Sequence, residues 1–364
     1  MQLDLSEVQR YLEGRHSGKV EIEQVKQLGG EATGAAALKQ YGYGHPLLIA
    51  YRVEGRLEKA VFRYIPCNAF GRERDADRWS AAWLDFSTFN KLPRHVPALD
   101  IVTHWRDGGL QSLQSADDIL LITAYRPGVP YAEDLARIRD CGEVQELDVQ
   151  RVEALASYLA QIHKVKQDAP MLWRRRLRDL IGYGEGIMGL TDSYPAFCTF
   201  VSDDELRQIE EEANHWRWRL KPLSHRLSQV HGDFHPFNVI FNQGTEFYLL
   251  DRSRGEWGEP ADDVSCMTIN YIFFSVQRTG QLEGGLQTLH DKFWETYLAF
   301  NPDRELTSVI QPWFAWRALV LACPLWYPTI SNEHRRKILS FAIRVMSEDQ
   351  YDYRHVNRYL EPIP

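Results

Sequence analysis

A cysteine framework, a basic excess and a membrane-length apolar run are all missing from this chain, and each absence narrows what it can be. The five cysteines, Cys67, Cys141, Cys198, Cys266 and Cys323, are odd in number, widely scattered and never spaced C-x-x-C. That speaks against a disulfide scaffold and against a thiolate zinc site. Acidic residues outnumber basic ones, 50 to 42, for a formal net charge of −8. Chains that grip nucleic-acid phosphates show the opposite balance, so no nucleic-acid partner is expected, while a cationic or neutral substrate is permitted. The longest apolar stretch, 264–276, is broken by Ser265, Thr268 and Asn270 and is too short to cross a bilayer. Residues 1–6 have neither a basic start nor an apolar core, so no secretion signal is expected and the chain is expected in the cytoplasm, away from membranes. Internal repeats and low-complexity tracts are lacking too.

What is present is ordinary globular material. The chain has 364 residues, 44% hydrophobic and 25% charged, which suits two packed units or one bilobal domain. Ser6 is placed to cap a first helix carrying Val8, Tyr11 and Leu12 on one side. The alternating run 20–23 reads as a strand leading into a small-residue turn, 28–35, whose Gly29 and Gly30 would let backbone N–H groups approach phosphate. That turn matches neither common phosphate-loop pattern and by itself reads equally well as a hairpin. Strands follow at 47–53 and 60–65. Arg63 lies inside the latter, where it is either a solvent-side strand charge or a fork for phosphate oxygens. The mixed-charge run 72–84 reads as a helix with Glu73 and Asp77 four apart on one face. The apolar run 119–125 is a buried strand cut off by Arg126-Pro127-Gly128, and the pattern beyond it is helical. There, Val152, Leu155, Leu159 and Ile162 recur at helical spacing up to His163, which reads as a packed, hydrogen-bonded histidine. The basic run 174–178 reads mainly as a solvated helix face.

The stretch with most chemistry is His231-Gly232-Asp233-Phe234-His235-Pro236-Phe237-Asn238. Two short apolar runs follow, 239–241 and 247–250, separated by a glycine-containing turn, and then Asp251. A hairpin there would turn Asp233, Asn238 and Asp251 toward one point. Oxygen ligands of this kind suit Mg²⁺, which takes one or two carboxylates and leaves its remaining positions to water and phosphate. The step from Asp233 to Asn238 equals the Asp-to-Asn step of the protein-kinase catalytic loop, and a second acid after a hairpin completes that layout.

On these residues the chain resembles the aminoglycoside phosphotransferase and choline kinase family, whose H-G-D-x-x-x-x-N loop and downstream I-D are matched by His231 to Asn238 and by Leu250-Asp251. The segment from Gly258 to Val264 is similar to the family's G-[DE]-P-x-x-D-[LIV], with Asp263 as an acid opening a helix. The resemblance implies an α+β, bilobal, protein-kinase-like fold, with a small antiparallel-sheet N-terminal lobe over 1–126 and a larger, mainly helical lobe over 127–364. It implies phosphoryl transfer from ATP or GTP, with Mg²⁺, to a hydroxyl of a small-molecule acceptor. Asp233 would be the catalytic base, and Asn238 and Asp251 would hold the metal. Arg63 would stand where the family pattern has a phosphate-contacting lysine, steadied by Glu73 or Asp77. Gly29 and Gly30 would cover the phosphates, and Thr123 and Tyr125 would meet the adenine edge. The aromatics Trp294, Tyr297, Trp313, Trp316, Trp326 and Tyr327 fall where the family walls its acceptor pocket. Arg252 and Arg254 depart from the pattern: two cations beside a phosphate site would contact an anionic group, or would pair with Glu256 and Glu259. Two other classes remain, a nucleotide-binding module without transfer activity and a metal-dependent hydrolase built on His231, Asp233 and His235. The acceptor and the oligomeric state have no signature in the sequence.

Overall fold

The computed structural model describes residues 4–29, 46–66, 72, 75–105, 109–111 and 118–361. Gly30 and Glu73 lie outside the described residues. The chain divides into two compact units, one of residues 1–31, 42–127 and 248–253, the other of 32–41, 128–247 and 254–364. The short segment carrying Asp251 therefore groups with the first unit, although it follows the loop of Asp233 in sequence.

The first unit contains α1 (Leu5–His16), β1 (Val20–Gln27), β2 (Leu47–Val53), β3 (Arg56–Tyr64), α2 (Asp75–Thr88), β4 (Ala98–His104), β5 (Leu110–Gln111) and β6 (Asp118–Ala124). The strands form one antiparallel sheet in the order β1-β2-β3-β6-β4-β5. Side chains alternate across a strand, and this sorts the faces. Val8 and Leu12 of α1 pack with Ile49, Tyr51, Ala60, Phe62, Leu120 and Ile122 on one side. Leu121 faces away from that cluster and packs with Phe89 and Ala98, and Ile65 meets Ala82 of α2. Arg63 is paired in register with Leu121 and shares Ile65's parity, so it projects on the α2 side of the sheet. The first helix is capped by Asp4, whose carboxylate accepts the Ser6 N–H at 2.8 Å. The expected cap, Ser6, is the second helical residue, because an acidic side chain two residues earlier takes the role equally well.

The second unit is helical with short strands. In order it holds β7 (Val129–Pro130), α3 (Tyr131–Cys141), α4 (Glu146–Ile162), α5 (Pro170–Gly182), α6 (Ile187–Thr191), α7 (Asp203–Leu220), β8 (Ser228–Gln229) and β9 (Val239–Phe241). Then come β10 (Phe247–Leu249), within which the chain passes to the first unit, β11 (Trp257–Gly258), α8 (Pro260–Thr279), α9 (Gly284–Phe300), α10 (Gln311–Ala322) and α11 (Asn332–Met346). The apolar stretch at 264–276 lies within α8, whose residues from Pro260 to Val276 are all buried. A helix apolar around its whole circumference has no face to give to water. It forms the centre of the unit, packed by α3, α9, α10 and α11. Among the described residues no helix is long and apolar enough to cross a membrane.

Candidate active site

The loop 230–238 is suspended from α8. Val230 donates its N–H to the Glu256 carbonyl at 3.0 Å, and Asp263 in the first turn of α8 accepts the His231 and Gly232 N–H groups, both at 2.7 Å. Burial disfavours the Asp263 charge, but His163, at 3.1 Å through Nε2, and His231 outweigh it and hold the carboxyl below its ordinary pKa. His163 is itself fully buried, with Nδ1 2.8 Å from the Tyr297 hydroxyl. Asp263, placed at a helix start by the sequence pattern, thus fixes the backbone of the loop. Gly232 takes φ +84, a backbone conformation that favours glycine, and a Cβ there would press on the Arg254 Cβ at 3.2 Å.

Beyond Asp233 the chain makes a single 3₁₀ turn, Pro236–Asn238. It carries Asn238 back so that its Nδ2 donates to the Asp233 carbonyl at 3.0 Å and to Asp233 Oδ2 at 3.3 Å. With the amide nitrogen committed in this way, the group that Asn238 has left is its carbonyl oxygen, a hard donor. The Asn242 N–H to Glu246 carbonyl bond closes the hairpin after β9, and the buried Phe247 packs edge-on against Tyr158 of α4.

The Asp233 carboxylate is ringed by donors. Arg317 NH1 reaches Oδ1 at 2.8 Å, while Arg254 NH1 is 3.4 Å and His235 Nε2 3.6 Å from Oδ2. Arg317 also donates to the Gly232 carbonyl at 3.1 Å and pairs with the buried Asp262. Burial opposes its charge, and Asp262 and Asp233 more than offset this, keeping its pKa above the ordinary arginine value. Arg254 NH2 is 3.2 Å from Glu185. Here too burial is outweighed, by Asp233 and Glu185. Both guanidiniums lie over the Trp316 ring, 4.7 Å for Arg254 and 3.9 Å for Arg317. Burial pushes the Cys266 thiol well up, so a neutral S–H stands 4.0 Å from Asp233 Oδ1.

In the first unit, Asp251 and Arg63 face each other fork to fork, with both nitrogen–oxygen distances 3.3 Å. Asp251 adopts φ +57, in the left-handed region, which aspartate tolerates better than most residues. Thr123 is the penultimate residue of β6, paired with Val61 on one side and Ala98 on the other. Tyr125 follows the strand with Lys59 Nζ 5.2 Å above its ring. Gly29 takes φ +75 just after β1 with open space where a Cβ would stand. Asp77 lies in the first turn of α2, half-buried.

Several charges behave differently from their sequence reading. Arg252 is fully buried and donates to the Thr88 carbonyl at 3.0 Å, so it anchors its own segment. Arg254 finds Asp233 and Glu185, whereas Glu259 is taken by Arg226. In the basic run, Arg176 is no surface residue: it is buried, donates to the Arg254 carbonyl at 2.7 Å and lies 3.6 Å from Asp262. Arg317, Glu185 and Asp262 were not singled out. Arg317 had a visible signal, a lone charge within the otherwise apolar α10 sequence, since a charge in such a setting requires a buried partner.

A family model described as the phosphotransferase enzyme family matches residues 81–302. The chain belongs to this family. No curated protein is significantly similar to the sequence. Among solved structures, amicoumacin kinase hAmiN in complex with AMP-PNP, Ca²⁺ and Ami is similar at 15% identity over 85% of this chain and 88% of that one, with a TM-score of 0.51. A thermostable mutant of aminoglycoside phosphotransferase APH(4)-Ia, in a ternary complex with ADP and hygromycin B, is similar at 14% identity over 94% and 99%, with a TM-score of 0.51. A putative fructosamine-3-kinase from Haemophilus somnus 129PT matches at 10% identity over 94% and 96%, again with a TM-score of 0.51. At these identities the likeness is one of fold. The phosphotransferase family and the α+β, protein-kinase-like fold expected from His231 to Asp251 are both borne out.

Proposed function

We propose that this phosphotransferase moves the γ-phosphoryl group of ATP or GTP onto a hydroxyl of a small-molecule acceptor, with Mg²⁺. The observation that carries the reading is the Asp233–Asn238 pair, in which the Asn238 amide donates to both the carbonyl and the carboxylate of Asp233 on a loop with the family's residue pattern. In the transfer, the acceptor oxygen forms a bond to the γ-phosphorus as the bond from that phosphorus to the β,γ-bridging oxygen breaks. The nucleoside diphosphate departs with the electron pair. Asp233 orients the acceptor hydroxyl and receives its proton. A loose, in-line transfer asks little covalent chemistry of the protein, so positioning and charge neutralisation are its main contributions.

The donors present suit a hard cation: the Asn238 carbonyl oxygen left over from its bonds to Asp233, and the Asp251 carboxylate. These two residues would hold Mg²⁺, which when bound supplies neutralisation of the nucleotide phosphates. Arg63, on the α2 face of the sheet, would steady those phosphates, with the nucleotide base assigned to the backbone around Thr123 and Tyr125. Nucleotide analogues or ADP are present in the amicoumacin kinase and aminoglycoside phosphotransferase complexes, which supports this assignment.

The test is Asp233→Asn in coupled nucleotide turnover. General-base contributions of roughly 10²–10⁴ set the expected loss of acceptor-stimulated rate, and a variant within tenfold of wild type would remove Asp233 from that role. A second reading, a nucleotide-binding module without transfer, has one observation in its favour, since Asp233 and Asp251 are both held by arginines. Nucleotide binding without transfer to any of a broad set of hydroxyl acceptors would select it. For the hydrolase reading, among the described residues no group of three or more His, Cys, Asp or Glu side chains is placed to hold a metal.

A further inference from the structure

The two arginines at Asp233 are not equivalent. Arg317 is buried among its partners: its NH1 holds Asp233, its NH2 holds the Gly232 carbonyl and Asp262, and its side chain is 6% exposed. Among the described residues, Arg254 makes one side-chain hydrogen bond, from NH2 to Glu185. Its NH1 stands 3.4 Å from Asp233 Oδ2, long for a charge-assisted contact, and its side chain keeps 17% exposure. The guanidinium is nonetheless fixed in place, lying on the Trp316 ring and tied to the buried Glu185, whose own carbonyl accepts the Trp316 indole N–H at 2.6 Å. A planar cation with N–H groups to spare is thus held rigid beside the carboxylate that addresses the acceptor hydroxyl.

We infer that Arg254 is a specificity-determining residue that binds an oxyanion of the acceptor, a carboxylate or a phosphate, close to the hydroxyl that is phosphorylated. The inference rests on the phosphotransferase reading of Asp233. Any acceptor whose hydroxyl reaches Asp233 Oδ2 places its neighbouring atoms against this guanidinium. A cationic neighbour meets like charge there, a neutral one gains little, and an oxyanion gains paired, charge-assisted hydrogen bonds from an already ordered fork.

The test measures acceptor-dependent nucleotide turnover on small hydroxy acids and sugar phosphates, each against its uncharged amide or dephosphorylated form and against an aminated analogue. In the wild type, the oxyanion form is expected to be preferred by about tenfold or more in kcat/KM, the size of losing one hydrogen bond to a charged group. The hydroxy-acid and sugar-phosphate arms tell which oxyanion it is. In Arg254→Gln the preference should collapse, mainly through a raised KM for the anionic form, and Arg254→Lys should restore part of it. Equal use of charged and uncharged forms, preference for the aminated analogues, or a preference that survives in Arg254→Gln would each overturn the inference and leave the phosphotransferase reading standing. No acceptor-dependent turnover on any member, with Asp233→Asn indistinguishable from wild type, would overturn both.

Discussion

At the scale of single residues, the Asp233 site is governed by close approach and by charge balance. Gly232 joins the two, since its φ of +84 disfavours a side chain and a Cβ there would press on the Arg254 Cβ at 3.2 Å. Gly232→Ala is expected to cost about 1–2 kcal/mol from the left-handed backbone alone, seen in denaturant unfolding, and to lower kcat by moving Arg254 against Asp233. Arg317 answers three acceptors in the interior. Replacing it with methionine strands Asp262, whose remaining partner is Arg176 at 3.6 Å. Removing one member of a buried ion pair typically costs about 3–5 kcal/mol, so urea unfolding of Arg317→Met should show a loss of that size. Arg317→Lys should regain part of the stability but little of the activity, because a point charge cannot serve Asp233, Gly232 and Asp262 together.

At the scale of elements, the start of α8 acts as the hanger for the loop. Asp263 accepts two backbone N–H groups and one imidazole. Asparagine in its place keeps the shape but offers one acceptor oxygen and no charge. Asp263→Asn should therefore cost about 2–3 kcal/mol and reduce kcat far more than nucleotide affinity. A control lies on another element, where Ser202 and Glu205 form a capping box on α7. Ser202→Ala should cost about 1 kcal/mol and leave KM and kcat untouched. Equal kinetic damage from the two variants would show that the loop responds to global stability and not to Asp263.

At the scale of the whole molecule, two buried or half-buried acids are among those that contribute to the acid limb of stability. For Asp263, burial raises the pKa but His163 and His231 lower it further. For Asp303, burial is likewise outweighed, by Arg226 with its guanidinium 2.8 Å away. A carboxyl whose folded pKa lies below its unfolded value of 3.8 binds protons more readily when unfolded. Its contribution is fully present above that value and is lost as the pH falls through the folded pKa. Stability measured by chemical denaturation should therefore hold as the pH is lowered to about 4 and decline below it, with a shallower decline in Asp263→Asn.

Much of this was legible along the chain, and the reasons are local. Strand β2 matched its apolar run, 47–53, residue for residue, and the helix α4 followed its spacing from Val152 to Ile162. The Asp233-to-Asn238 step and the family it belongs to were readable because a one-turn loop encodes its own geometry in consecutive residues. What needed the tertiary structure was the pairing of charges far apart in sequence. Arg317 lies 84 residues from Asp233, Arg63 188 residues from Asp251 and Arg252 164 residues from Thr88. Nothing along the chain says which of several arginines a buried acid will meet, because Coulomb attraction depends on distance and dielectric, both set by packing. The residues proposed for the chemistry, Asp233, Asn238 and Asp251, are thus named by the sequence. That Arg317 and Arg254 meet Asp233 while Arg252 turns to the Thr88 carbonyl was decided only by packing.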